Sequence, residues 1–247
     1  MAQKIDFGFQ QVDWAEKAQR VKSVFDSVAP KYDLMNDLMS GGIHRLWKRR
    51  AIDTLGLLPH HQVLDLASGT CDLGLRMAPM LNEQGNITLS DINESMLSIG
   101  RNRMIDAGHI RAEFVVSDAQ ALPFADNSFD RITMSFGLRN VTDKQQALNE
   151  LHRVLKPNGM LMVVEFSKVT DPILAKGYDW YSFNILPQLG QFVAQDRDSY
   201  QYLAESIRMH PDQETLASMF RAAGMIRVSY ENLTVGVVAI HKGWKAA

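Results

Sequence analysis

Apolar positions recur along this chain in two rhythms. Near the N-terminus Val21, Val24, Phe25 and Val28 repeat at helical spacing until Pro30. A second short pattern, Leu34, Met35, Leu38 and Met39, ends at Gly41-Gly42, and a third runs from about His44 to Leu55 before Gly56 and Pro59. Residues 1–60 therefore read as a helical cap. From there short apolar runs take over: Val63–Leu66, Ile87–Leu89 ending at Asp91, Phe114–Val116, Arg131–Met134 and Leu161–Val164. Helical patterns fill the gaps. One starts at Asp72, one runs from Asn93, placed as an N-cap, to about Ala107, and one runs from Asp143 to about Leu155.

Short strands alternating with helices predict βαβ units and an α/β fold around a mostly parallel sheet. Helices on both faces explain why the strands are apolar runs and not alternations. The alternation breaks after Glu165, where residues 172–202 hold seven aromatics: Tyr178, Trp180, Tyr181, Phe183, Phe192, Tyr200 and Tyr202. A helix from Pro211 to about Ala223 follows, then β-rich stretches Ile226–Tyr230 and Val235–Ile240, whose hairpin-like pairing sets one C-terminal strand antiparallel. The expected organisation is a single domain over 1–247. It comprises the cap, a first sheet half at 61–165, a helical insertion or lid at 166–210, and a closing helix and strands at 211–247.

Composition narrows the class. At 46% apolar and 22% charged the chain is ordinary for a globular protein. A net charge of −2 gives no basic field for nucleic acid. One cysteine, Cys71, forms no internal disulfide, which fits a reducing cytoplasm. No signal-peptide pattern or run long enough to span a bilayer is present, so any membrane role is expected to be peripheral.

In a doubly wound sheet, ligands bind beyond the carboxyl ends of the strands. The first such loop reads Asp65-Leu66-Ala67-Ser68-Gly69-Thr70-Cys71-Asp72. A dinucleotide loop needs three glycines, and only Gly69 is here, flanked by acids that would repel a pyrophosphate. The same acids suit a ligand carrying an ammonium and a sulfonium, which points to S-adenosylmethionine and away from NAD. Asp91, at the end of the second strand, is placed to accept hydrogen bonds from both ribose hydroxyls. Asp118, after the third strand, either receives the exocyclic amine of adenine or caps a turn.

Several strings carry a closer likeness: Met35-Asn36-Asp37-Leu38-Met39-Ser40, Ile43-His44-Arg45-Leu46-Trp47-Lys48, Ser135-Phe136-Gly137-Leu138-Arg139-Asn140-Val141-Thr142-Asp143 and Glu205-Ser206-Ile207-Arg208-Met209-His210-Pro211-Asp212. With them the chain resembles the ubiquinone/menaquinone biosynthesis C-methyltransferases over nearly its whole length. The resemblance implies a class I S-adenosylmethionine-dependent methyltransferase fold, Rossmann-like, and methylation of a ring carbon on a prenylated quinol. Position by position it implies that Thr70, Asp91, Asp118, Ala119 and Ser135 contact S-adenosylmethionine, beside Gly69 of the first loop. The family usually has glycine where this chain has Ser68 and Cys71. Cys71 either crowds the methionine moiety, with a thiol pKa lowered at a helix N-terminus, or is a small residue that merely fits, the favoured of the two readings.

On the same resemblance, the segment after the fourth strand faces the transferred methyl. Carbon alkylation needs a ring whose hydroxyl has lost its proton, and a phenol titrates near pH 10. Arg139 either favours phenolate, with Asn140 orienting the oxygen, or makes a structural salt bridge, the reading its residue type alone would favour. Arginine stays protonated, so the proton goes to a water, to His44, to Tyr32 or to a further residue. Tyr32 is expected either in a lid over the substrate or as a packed amphipathic tyrosine. The basic run His44–Arg50 meets either lipid headgroups or solvent, and the aromatics of 172–202 line either a tunnel for the isoprenoid tail or the core. The seven histidines lack metal-ligand spacing, so no metal is expected. A homo-oligomer, another aromatic or oxygen acceptor, and a non-catalytic cofactor-binding relative stay open.

Overall fold

Parallel strands buried on both faces organise the molecule. The computed structural model describes residues 4–28, 36–37, 40–191 and 196–247. Strands β3 (Gln62–Leu66), β4 (Asn86–Asp91), β5 (Glu113–Val116), β6 (Phe129–Ser135) and β7 (Leu155–Phe166) pair in parallel. With β8 (Ile226–Leu233) and β9 (Val238–Trp244) they form a seven-stranded sheet ordered β5-β4-β3-β6-β7-β9-β8. Only β9 opposes its neighbours, pairing antiparallel with β7 and β8, as the sequence predicts. Residues Thr234–Gly236 form a turn, so the last strand begins at Val238 and not at Val235.

Successive side chains of a strand face opposite sides, and here both sides are apolar. Leu64, Leu66, Ile132, Met134, Leu161 and Val163 pack on one face. They meet α5 (Lys144–Val154) and α8 (Gln213–Ala222) through Leu148, Leu151, Leu216 and Phe220. Val63, Ile87, Leu89, Met160, Met162 and Val164 fill the other face. Against them lie α2 (His44–Thr54), α3 (Asp72–Met77) and α4 (Glu94–Asp106). The predicted caps form: Asn93 accepts from the Met96 amide and Asp143 from the Gln146 amide.

The N-terminus departs from the helical cap predicted for 1–60. Before α1 (Trp14–Val28), residues Lys4–Phe7 (β1) and Gln10–Asp13 (β2) pair as an antiparallel hairpin. Two short strands are marginal alone. Docking on α7 (Arg197–Met209) supports them: the Phe7 ring stacks on Tyr202 at 4.2 Å and the Phe9 amide donates to Glu205 at 3.0 Å. Between β7 and α7, α6 (Pro172–Trp180) continues through a π-helical turn, Tyr181–Ile185.

The chain runs outward from β3 to β5, returns, and runs outward the other way from β6. The reversal leaves a crevice at the carboxyl ends of β3 and β6, where Leu66 lies beside Met134.

Candidate active site

Two loops meet in that crevice. The loop after β3 places Ala67, Gly69 and Cys71 in left-handed backbone, with φ of 54°, 52° and 62°. The loop after β6 does the same at Phe136, with φ 57°. They pack so closely that a Cβ on Gly137 would stand 2.4 Å from the Ala67 Cβ, so only glycine fits. Asp91 ties β4 to the first loop: its Oδ2 accepts the Gly69 amide and its Oδ1 the Asn93 amide, each at 2.8 Å. Burial pushes the Asp91 carboxyl up, and these amides oppose the shift.

A solvent-open cleft of about 820 Å³ lies over these loops, walled by Asp91, Ile92, Met96, Asp118, Ala119 and Ser135, with Gly69 at its floor. Five of the six predicted contacts line this cleft. The sixth, Thr70, lines a smaller adjoining recess with Lys48, Asp65, Asp72 and Ser135. Asp118 is engaged in a turn, accepting the Gln120 amide at 2.9 Å and the Gln120 side-chain amide at 3.0 and 3.1 Å.

The recess has the charge pattern of a zwitterion's counterpart. Lys48 Nζ stands 2.7 Å from Asp72 Oδ2. Asp65 is pushed up to about 7, chiefly by burial, against a 2.6 Å hydrogen bond from Thr133. Its Oδ2 and the Ser135 hydroxyl are buried without a partner among the described residues. Unmet buried acceptors cost free energy, and an ammonium group would satisfy Asp65. The residues present thus fit the amino-acid end of S-adenosylmethionine in the recess and its adenosine in the cleft.

Cys71 does not crowd that ligand. Its side chain is wholly buried and packs on α4, where a Cβ on Gly100 would approach its sulfur to 2.3 Å. Nor is its thiol acidic: burial pushes it up to about 12, and Asp65 adds to the shift. A helix N-terminus lowers a thiol pKa only where the thiolate is not desolvated.

A second cavity of about 880 Å³ adjoins the first, sharing Phe25, Phe136 and Asn140 in its wall. His44, Trp47, Arg139, Phe166 and Tyr202 complete its inner end. Arg139 sits here, but not as a free cation. Its Nη1 pairs with Glu165 Oε1 at 2.9 Å and donates to the Phe136 carbonyl, and its backbone amide donates to Glu165 Oε2 at 3.2 Å. Its Nε–H is buried without a partner among the described residues. The Asn140 Oδ1 accepts from the Tyr202 hydroxyl at 3.1 Å. Burial pushes that phenol up to about 12, so it remains a donor. Tyr32 lies outside the described residues.

The basic run on α2 divides: His44, Trp47 and Lys48 turn inward onto the cavity, whereas Arg45, paired with Asp37, Arg50, paired with Glu231, and Arg49 are exposed. The aromatics of 172–202 divide. Tyr178 and Tyr202 line the cavity, Tyr200 is core, Trp180 and Phe183 are exposed, and Phe192 lies outside the described residues. Sequence reasoning missed Lys48 and Glu165 as site residues, and the hydrogen bond from Tyr202 to Asn140. The partners in these three contacts lie 24, 26 and 62 positions apart, beyond any local spacing rule.

Comparisons with known proteins agree with this geometry. The family model described as "ubiE/COQ5 methyltransferase family" matches residues 14–245. A ubiquinone/menaquinone biosynthesis C-methyltransferase of Hydrogenovibrio crunogenus is 57% identical, over 98% of this chain and 95% of its own. One from Cellvibrio japonicus is 59% identical, over 97% and 96%. Among solved structures, a SAM-dependent methyltransferase from Thermotoga maritima superposes with a TM-score of 0.63 at 20% identity, covering 90% of this chain and 99% of its own. With a family model spanning almost the whole chain and relatives this similar over their full length, the chain belongs to the ubiE/COQ5 methyltransferase family.

Proposed function

We propose that the protein transfers a methyl group from S-adenosylmethionine to a ring carbon of a prenylated quinol, in ubiquinone and menaquinone biosynthesis. The observation that carries the reading is the junction of the two cavities at Phe136 and Asn140, which sets a donor site and an apolar acceptor site wall to wall. The donor supplies an electrophilic methyl carbon on a positively charged sulfur. The chain's residues do the rest by holding and shielding. Asp91 and Asp118 receive the adenosine hydroxyls and amine, Gly69, Thr70, Ala119 and Ser135 shape the walls, and Asp65 and Lys48 hold the amino-acid end. Fixing two reactants in line can supply about 7–11 kcal/mol of the barrier.

Arg139 and Asn140 act on the quinol oxygen. The unpartnered Nε–H of Arg139 and the side-chain N–H of Asn140, whose carbonyl is held by Tyr202, are donors for an oxygen gaining negative charge. Since Glu165 neutralises Arg139, the pair works through directed hydrogen bonds more than through net charge. Phe136, Trp47 and Phe166 exclude water from the ring.

The tail of such a quinol is lipid. No helix among the described residues is long and apolar enough to cross a membrane. Ile173, Leu174, Trp180 and Phe183 are exposed on and just after α6, the helix that turns Tyr178 into the cavity. This face suits a peripheral contact with the bilayer that holds the substrate, the protein itself residing in the cytoplasm.

The test is incubation with methyl-labelled S-adenosylmethionine and a short-chain demethylmenaquinol kept reduced. Label on the ring carbon supports the reading. Label on oxygen, or none, overturns it.

A further inference from the structure

Methylation of a quinol ring carbon leaves a proton without a destination. His44, at the start of α2, is 8% exposed and lines the second cavity together with Arg139 and Asn140. Its Nε2 stands 2.9 Å from Asp37 Oδ1. Arg45 grips the same carboxyl, Nε to Oδ1 at 3.0 Å and Nη2 to Oδ2 at 2.6 Å. That grip holds Asp37 below the usual carboxylate range. An ionised carboxylate only accepts, so Nε2 carries the imidazole proton and Nδ1 carries the lone pair. Nδ1 is buried and has no hydrogen-bond partner among the described residues. A buried acceptor left open in the wall of a substrate cavity, on a ring whose tautomer is set from behind, is the arrangement of a general base.

The groups around the ring keep it neutral. Burial is the largest influence and lowers its pKa; Lys48 and Arg45 lower it further, while Asp37 and Asp72 oppose them. Around neutral pH the ring is therefore free to take a proton.

Resting on the quinol reading above, we propose that His44 is the catalytic base that takes the quinol hydroxyl proton, with Asp37 as the positioning residue that fixes its tautomer. The O–H bond breaks, its proton goes to Nδ1 and its electrons move into the ring. The ring carbon forms a bond to the methyl carbon while the carbon–sulfur bond breaks, its electron pair staying on sulfur. The resulting dienone loses its ring C–H proton to solvent as imidazolium returns the first proton to oxygen. One proton is released overall and nothing is oxidised.

The experiment compares wild type, H44Q, H44A and D37N in methyl transfer to short-chain demethylmenaquinol across pH, with S-adenosylmethionine affinity and thermal melting as checks on folding. Wild type is expected to hold a pH-independent kcat above neutrality and to lose activity below pH 6.5 as His44 protonates. H44Q is expected to be slower by about 10²–10⁴-fold. Its rate should climb with pH toward the phenol ionisation near 10. Imidazole in solution should restore part of the H44A rate. D37N, which removes a charge that raises the ring's pKa, should move the acid limb to lower pH with unchanged donor affinity. H44Q with the wild-type rate and pH profile, or H44A without rescue, would overturn the proposal. A wild type that methylates no quinol would instead refute the reading on which it rests.

Discussion

Replacing Glu165 with glutamine separates two roles that Arg139 could have. In the native structure both side chains are buried, 4% and 1% exposed, and the carboxylate takes three donors: the Arg139 guanidinium, the Arg139 amide and the Phe166 amide. Glutamine keeps the shape but removes the charge, and it turns one N–H donor toward another. Removing one partner of a buried pair costs about 3–5 kcal/mol, because the remaining ion stays desolvated. For a chain of this size each kcal/mol lowers Tm by about 2–4 °C, so Glu165→Gln should melt about 6–20 °C below wild type. The double substitution R139M/E165L, which replaces the pair with apolar groups, should melt above either single variant. It should nevertheless lose methyl transfer, because nothing then holds the Phe136 carbonyl. Thermal unfolding followed by circular dichroism reads wild type, Glu165→Gln, the singles R139M and E165L, and the double variant. A drop of less than about 2 °C for Glu165→Gln, below the effect of 1 kcal/mol, would refute a charge balance essential to the fold.

Further expectations concern Asp65, Cys71 and Tyr202. Because Asp65 is held up at about 7, an ammonium ligand must displace its proton below that pH. Donor affinity should rise with pH through 7, with proton release seen by calorimetry in two buffers at pH 6 and abolished in Asp65→Asn; a flat profile would contradict this. The same raised pKa makes the Asp65 contribution to stability greatest below about pH 4, and it is lost as pH rises through 7. Cys71→Gly should leave donor affinity unchanged, since the sulfur faces Gly100 and not the cleft; a tenfold gain measured by titration would contradict that placement. Tyr202→Phe removes one hydrogen bond, worth about 0.5–1.5 kcal/mol, so kcat should fall about 2- to 13-fold with donor affinity intact. A wild-type kcat would show that Tyr202 does not orient Asn140.

What could be read in advance follows the range of the forces involved. The strands of the sheet were legible because a strand buried on both faces reads as a run of apolar residues, as Leu161–Val164 does throughout and Val63–Leu66 does apart from Asp65. The caps Asn93 and Asp143 act within three residues, so spacing alone finds them. The N-terminal hairpin was not legible. Lys-Ile-Asp-Phe and Gln-Gln-Val-Asp carry little strand signal, and stacking of Phe7 on Tyr202, nearly two hundred residues on, holds them. The site divides in the same way. Asp91 and Asp118 announce themselves by ending strands, whereas the pairing of Arg139 with Glu165 depends on the register of β6 beside β7. The fall in exposure that drives the thiol of Cys71 upward is likewise a property of packing, which position at a helix terminus does not reveal.

The central claim is that donor and acceptor sites meet at Phe136 and Asn140. A crystal structure with S-adenosylhomocysteine and a short-chain demethylmenaquinol tests it most directly. The account predicts adenosine against Asp91 and Ala119, the amino-acid end between Lys48 and Asp65, sulfur beside Phe136, and the ring facing Arg139, Asn140 and His44. A quinol bound elsewhere, or a ring whose reactive carbon faces away from the sulfur, would contradict it.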